Sequence, residues 1–418
     1  MSARSGRDFD VVIVGGGVIG TAMASLLVAR KLSAPGRVAV IADRFSACPA
    51  ADADWDLRVF ALSRASQRLL KACGIWDALP AQRLFAYERM CVWDAGGEPR
   101  GKGSLSFDCA EIGEPNLGFI VDGSALQWHC AQAARSAGAV MIEAGLERLA
   151  AADADMSIRL SDGRELRAQL LIAADGRESK TRELLGIETA GHIYHQDALV
   201  AHVRTGKSHH NTAWQRFLES GPLAFLPLPD GRSSIVWSTA VAEAARLGAL
   251  DPKGFAAVLT AAGGGALGEC ELSTPLARFP LKLQYALDYA RPRAILLGDA
   301  AHVVHPLAGQ GLNLGLLDCA ALAEVLGRAG SAGYFGEHKL LRSYERWRRS
   351  ENLLAAAALD GLERLFSSAD PVSTGLRAAG LDAVDKMPLV KSRLAQRALG
   401  LIGDVPAFLK SDARIDPA

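Results

Sequence analysis

The stretch GDAAHVVHPLAGQGLNLGLLD fills residues 298–318, and its first glycine closes AILLG, an apolar run of strand length. After Gly298-Asp299 the chain passes through His-Pro, and Gly309 and Gly311 open LNLGLLDCAALAEVL, which has helical apolar spacing. These residues read as a strand-to-helix crossover whose glycines stand where backbone must come close to a ligand. A second set, Gly15-x-Gly17-x-x-Gly20, follows the apolar run VVIV and precedes a helix rich in small residues (Ala22, Ala24, Ser25). In such a turn the first glycine permits the tight reversal, the second lets backbone approach a pyrophosphate, and the third lets helix and strand pack closely. The N–H groups at the helix start then face the phosphates. The pattern points to a dinucleotide; the plainer alternative is a glycine-rich turn with no ligand.

An acidic side chain normally closes the second strand of this unit and binds a ribose hydroxyl. RVAVIAD at 37–43 ends that strand on Ala42, with Asp43 one place later and, by alternation, on the other face. Two readings stand: Asp43 reaches the ribose through a local twist, or the ribose has no acidic partner. A third glycine-bearing element, Asp175-Gly176, follows the buried run LLIAA.

Several elements must position these residues. RASQRLLKACGIWDAL reads as a helix stopped by Gly74, and ERMCVWD and GSLSFD as short strands joined by a turn-rich segment. From 192 to 240, long strand-like runs with Pro-Asp-Gly turn chemistry at 229–231 suggest an antiparallel sheet. The chain after 337 is helical. The expected fold is α/β, with a Rossmann-like dinucleotide-binding domain (1–80, 116–183 and 288–345), an interleaved antiparallel-sheet substrate domain (81–115 and 184–287) and C-terminal helices (346–418).

Composition narrows the function. Lys+Arg and Asp+Glu both total 46, so no basic surface marks a nucleic-acid partner. Seven scattered cysteines without a C-x-x-C pair suit free thiols in a reducing cytoplasm. The uncharged stretch 11–29 has nearly the length of a membrane span. Its glycine cluster, and Asp8 and Asp10 before it, favour a buried strand and helix over a span or a signal peptide. The expected location is cytoplasmic, with docking on the inner membrane surface left open.

Gly15-x-Gly17-x-x-Gly20, Asp175-Gly176 and Gly298-Asp299, in this order and at these intervals, resemble the group A flavoprotein monooxygenases of the para-hydroxybenzoate hydroxylase fold. DLRVFALSRASQRLLKACGIWDAL (56–79), HVVHPLAGQGLNLGLLD (302–318), SYERWRRSEN (343–352), LDGLERLFS (359–367) and LRAAGLDAVDKMPLVKSRLAQRALG (376–400) look specifically like the ubiquinone-biosynthesis hydroxylase branch. The resemblance covers nearly the whole chain. It implies FAD as cofactor, NADPH or NADH as electron donor, and transfer of one oxygen atom of O2 from a flavin C4a-hydroperoxide to the ring of a polyprenylated phenol. It further implies that Asp299 accepts hydrogen bonds from the ribityl chain. A helix beginning at Gly311 turns its positive end to the flavin, with Gly309, Gly311, Leu312 and Asn313 against the ring, and Pro306 walls the substrate. Asp175 and Gly176 stand beside the cofactor, and Arg58 is its cationic partner. Other ubiquinone-biosynthesis proteins are candidate partners.

Plainer readings accompany these. Asp299 could simply cap the turn that follows it. His302 and His305 have H-x-x-H spacing but no third ligand nearby, so no metal is expected. SYERWRRSEN reads as a solvated helix face with Tyr344 and Trp347 turned inward. Leu359, Leu362, Leu365 and Phe366 share a helical face, and Lys386, Lys391, Arg393 and Arg397 make the following segment basic; an amphipathic helix packed on the domain competes with one docked on a membrane. Ala42, and Gly123 where the family usually carries a polar side chain, depart from the pattern on the adenosine and pyrophosphate side. They suggest weak FAD retention. A disulfide reductase would need a redox cysteine pair, and a flavin halogenase a Trp-x-Trp-x-Ile-Pro signature; neither is present. A hydroxylase of a soluble aromatic ring is the runner-up, and a silent FAD-binding subunit of a biosynthetic assembly a more distant one.

Overall fold

Strand Phe9–Val14 carries four consecutive β-branched residues, Val11–Val14, all buried, as expected of a parallel strand covered on both faces. It pairs in parallel with Val38–Ala42 on one side and Glu165–Ala173 on the other. Ala294–Leu296 and Val140–Glu143 extend this parallel core outward, and the hairpin of Leu146–Ala151 and Met156–Leu160 joins it through Glu165–Ala173. Helices Val18–Ala29, Gly123–Ser136 and Gln310–Gly327 bury their apolar residues against one face. The computed structural model describes residues 6–50, 52–152, 154–304, 309–329, 334–367 and 371–410.

A second sheet runs in the order His302–Val303, Ala277–Ala286, Thr189–Thr205, Ser233–Ala240, Gly221–Pro227, Thr212–Leu218, Arg89–Asp94, Ser104–Asp108. The expectation of an antiparallel sheet needs one correction: Arg89–Asp94 and Thr212–Leu218 run parallel. The reason is connectivity. Arg89–Asp94 belongs to an early excursion of the chain, far in sequence from its neighbour, so no hairpin constrains their direction. A small third sheet, Val59–Leu62, Gly118–Asp122 and Leu84–Tyr87, lies at the junction and joins segments on both sides of the division expected at 80/81 and 115/116. The division expected at 345/346 falls inside one continuous helix, His338–Ser367.

The C-terminal helices seal the second sheet. Asp382 and Asp385, on helix Pro371–Asp385, accept hydrogen bonds from the Gly103 and Ser106 N–H groups at 2.6 and 3.1 Å. Carboxylates thus occupy backbone donors of edge strand Ser104–Asp108, which would otherwise invite another strand.

Candidate cofactor and substrate site

Each glycine of the first turn is explained by what surrounds it. A Cβ on Gly15 would stand 2.1 Å from the Ala174 carbonyl oxygen, so this glycine lets the turn press against the Asp175-Gly176 segment. A Cβ on Gly20 would meet the Gly15 carbonyl oxygen at 2.0 Å, the close helix–strand contact expected of the third glycine. Gly17, the N-cap of helix Val18–Ala29, has nothing within 4 Å of its Cβ position. The space beside the helix start is therefore open where a pyrophosphate would lie.

Gly298-Asp299-Ala300 forms a single 3-10 turn after strand Ala294–Leu296. Gly298 adopts φ +57°, and Gly315 lies against both Gly298 and Ile19, so this turn, the first helix and helix Gln310–Gly327 meet at one point. The Asp299 carboxylate is partly exposed and has no hydrogen-bond partner among the described residues. Helix Gln310–Gly327 starts one residue earlier than expected, because Gly309 serves as its N-cap with φ +63°. Nothing lies closer than 4.0 Å to the Cβ position of Gly311. The first-turn N–H groups of Gln310, Gly311 and Leu312 lack intrahelical partners and carry the positive end of the helix. Pro306 lies outside the described residues.

Several expected ligands are engaged elsewhere. The Asn313 side chain accepts from the Ser63 N–H at 2.9 Å and the Ser66 hydroxyl at 2.6 Å, and donates to the Ala61 carbonyl at 2.9 Å. With a second donation, to the Gly309 carbonyl at 3.3 Å, it clamps the helix start to strand Val59–Leu62 with both amide hydrogens and both oxygen lone pairs engaged. Asp175 accepts from the Ser179 hydroxyl and from the N–H and hydroxyl of Thr181, holding its own turn and helix Lys180–Leu184. Asp43 is exposed, with its carboxylate beside Gly145, whereas the Ala42 methyl lies under Gly16. Strand alternation has won over any local twist, and Asp43 faces away from the glycine turn. Arg58 is exposed over the Phe60 ring at 5.1 Å. Its carbonyl accepts the Gly123 N–H at 3.0 Å and would sit 2.2 Å from a Cβ there, so a packing contact requires Gly123.

The largest correction concerns SYERWRRSEN. Tyr344 is buried as expected, but so are Glu345, Arg348 and Asn352. Arg348 Nε donates to Asp318 Oδ1 at 2.8 Å and Asn352 donates to the same oxygen at 3.1 Å. Asp318 Oδ2 accepts the Gly298 N–H at 3.1 Å and meets His302 Nε2 at 2.6 Å. One buried carboxylate thus joins the Gly298-Asp299 turn, the strand after it and the long C-terminal helix. Burial alone would raise the Asp318 pKa, but the charges of His302 and Arg348 and their hydrogen bonds outweigh it and bring it down to about 2. A signal was present in the sequence. Asp318 is a charge set in the apolar stretch LGLLDCAALA, and Tyr344, Arg348 and Asn352 recur at four-residue spacing on one face.

Register separates the two faces of the second sheet. One face (Cys91, Trp93, Trp214, Phe225, Ile235, Trp237) packs on helices Val241–Gly248 and Pro252–Ala262. On the other face Leu226, together with Val59 and Ala61, packs against the cluster of Trp55, Ile120 and Leu228, and Ala61 lies against Gly309. Met90, Val92 and Phe217 of that face meet Leu359, Phe366 and Leu381 of the C-terminal helices, with Phe217 stacked on Phe366 at 3.9 Å. Leu359 also belongs to a cluster with Val304, Leu314 and Leu283. An apolar strip therefore runs from beside the helix start at Gly309 out along the C-terminal helices.

The open cradle at Gly17, the Asp299 carboxylate without a partner among the described residues and the clear N–H face at Gly311 fit FAD. A family model described as an FAD binding domain matches residues 126–357. The 3-demethoxyubiquinol 3-hydroxylase of Escherichia coli is 34% identical over 94% of this chain and 98% of its own length. The ubiquinone hydroxylase UbiL of Rhodospirillum rubrum is 37% identical over 94% and 90%. Among solved structures, p-nitrophenol 4-monooxygenase PnpA of Pseudomonas putida superposes with a TM-score of 0.74 at 19% identity, covering 94% of this chain and 98% of that one.

Proposed function

This chain belongs to the FAD-binding monooxygenases, in the branch of the ubiquinone-biosynthesis hydroxylases, and on that premise we propose that it hydroxylates the ring of a polyprenylated phenol using FAD, NADPH or NADH, and O2. The observation that carries the reading is the apolar strip. A ring placed between Ala61, Gly309 and the open face of the second sheet can direct a long apolar tail along Leu359 toward Phe217 and Phe366.

FAD, when bound, takes electrons from the nicotinamide, activates O2 and supplies the oxygen atom. The chain's part is binding, orientation and electrostatics. Backbone at Gly17 receives the pyrophosphate, and the Asp299 carboxylate accepts from ribityl hydroxyls. The helix start at Gln310–Leu312 stabilises negative charge that develops on the flavin ring. Asn313 and Asp318 act through the backbone they hold: Asn313 fixes the helix start, and Asp318 fixes the turn bearing Asp299. Asp175 likewise supports the cofactor side by shaping the turn on which Gly15 rests.

A tail of this kind resides in a lipid bilayer, and no described helix is long and apolar enough to cross one. The finer reading is docking through helix Pro388–Ala398. Met387, Leu389, Val390 and Leu394 are exposed there, Leu389 to 83%, beside exposed Lys386, Arg393 and Arg397. Lys391 takes no part, since it is buried against Glu111. Of the earlier apolar quartet, Leu362 and Leu365 are exposed, whereas Leu359 and Phe366 pack on the sheet.

The test is mass spectrometry of quinone intermediates in a strain lacking the gene, with the restored gene as control. A prenylated phenol short of one hydroxyl should accumulate. Normal quinone without a precursor, together with NADPH oxidation by the purified enzyme on small soluble phenols alone, would overturn the reading in favour of a soluble-ring hydroxylase.

A further inference from the structure

The open face of the second sheet can be written out from its register. Residues directly opposite across neighbouring strands share a face, about 5 Å apart. The middle row is Val92, Gln215, Ala224, Val236 and Val200. The row toward strand Val59–Leu62 is Met90, Ala213, Leu226, Ser234 and His202; the row on the far side is Asp94, Phe217, Pro222, Ser238 and Ala198. Ala224, Leu226 and Val236 keep partial exposure, whereas Val92 and Phe217 are covered by Leu359, Phe366 and Leu381, so Gln215 stands where the packed part of the wall meets the open part.

Charge is missing from the centre of this wall. No Lys or Arg stands in the three rows. Asp94, at the margin, is paired with Arg377 at 3.2 Å. His202 holds the Asp56 carbonyl through Nε2 at 3.1 Å, and burial pushes its pKa down, toward the neutral form. Gln215 is the exception in kind: its side chain is polar, only 5% of the residue is exposed, and it makes no hydrogen bond with any described residue. Its amide is not sealed off, unlike the unpartnered His202 Nδ1 and Ser234 hydroxyl. An amide in an apolar wall with neither protein partner nor free solvation is costly unless a ligand completes it.

We propose that Gln215 is the specificity-determining residue of the substrate wall: its amide hydrogen-bonds a neutral oxygen substituent of the ring, and the wall selects rings without a carboxylate. The inference rests on the hydroxylase reading above and deepens it. A ring hydroxyl, methoxy or carbonyl oxygen matches an amide that can donate and accept. A carboxylate would lie against rows that hold no Lys or Arg and would be disfavoured there.

The test uses the FAD-loaded enzyme with matched rings, a short-prenyl methoxyphenol and the same ring bearing a carboxylate, each with a short and a longer tail. Ring binding is read from the perturbation of the flavin absorbance, and KM and kcat from product formation. The wild type should prefer the neutral ring by more than about a hundredfold. Gln215→Leu should raise KM for the neutral ring about tenfold, with thermal stability unchanged or higher because no protein hydrogen bond is lost. Gln215→Arg should move the preference toward the carboxylate by at least about tenfold. Equal binding of both rings by the wild type, or an unchanged KM and preference in both variants, would overturn the proposal. Tail length is a separate axis: indifference to it counts against a prenylated substrate while leaving the Gln215 comparison readable.

Discussion

Arg348 Nε lies 2.8 Å from Asp318 Oδ1 with both side chains almost wholly buried, and the opposite oxygen of that carboxylate holds the N–H of Gly298. A helix of the C-terminal region therefore fixes, through one charge pair, the turn that presents Asp299. Arg348→Met should cost about 3–5 kcal/mol, since a buried carboxylate loses its arginine partner, and FAD should dissociate more readily. Asp318→Asn combined with Arg348→Met should recover part of that loss in urea unfolding. An additive double variant would show the pair is not coupled.

The same carboxylate sets an acid limit. Its folded pKa of about 2 lies below the ordinary 3.8, so the stabilisation is complete above about pH 4 and disappears as pH falls toward 2. The difference corresponds to about 2 kcal/mol. Unfolding free energy measured from pH 5 to 2 should fall less steeply in Asp318→Asn than in the wild type.

Gly17 and Gly20 should respond differently to alanine. Gly17→Ala meets no protein atom, so the apoprotein should keep its stability within about 0.5 kcal/mol while FAD affinity drops at least about tenfold. Gly20→Ala drives a methyl into the Gly15 carbonyl and should destabilise the apoprotein by about 1–3 kcal/mol or more. Thermal melts with and without FAD separate the two.

Asp299 and Asn313 divide in the same way. Asp299→Ala should weaken FAD binding about tenfold or more and leave the apoprotein melt unchanged, because the carboxylate has no described protein partner. Asn313→Ala should lower stability by about 2–4 kcal/mol, since it leaves the Ser63 N–H and Ala61 carbonyl unpaired.

With Asp43 beside Gly145, a bound adenosine ribose would lack an acidic partner at the end of the second strand. Purified protein should lose FAD during prolonged dialysis, Asp43→Ala should change nothing, and Ala42→Glu should improve retention. Full FAD occupancy after dialysis of the wild type would refute this account.

If helix Pro388–Ala398 docks on lipid, the protein should co-sediment with vesicles containing anionic phospholipid at low salt and less at high salt. Leu389→Glu should abolish co-sedimentation without altering turnover of a short-tailed phenol. Equal binding by both proteins would remove this helix from the role.

The sequence by itself determined the cofactor architecture. Gly15, Gly17 and Gly20, the run Val11–Val14 and the Gly298-Asp299 crossover are local patterns, and local sterics dictate strand, turn and helix start over a few residues. Strand alternation left the placing of Asp43 open, and packing decided it, with the Ala42 methyl against Gly16 and the Asp43 carboxylate beside Gly145. What each polar side chain does was decided by tertiary structure, because a hydrogen bond depends on which groups burial brings together. Asp175 and Asn313 carry motif positions, and their side chains hold groups of the protein itself. Arg348 and Asn352, legible as a charged helix face, are buried because Asp318, distant in sequence, offers a carboxylate that cannot be left unpaired in the core. Gln215 is an unremarkable residue of a strand until five strands align and leave it the one unmatched amide on an apolar wall.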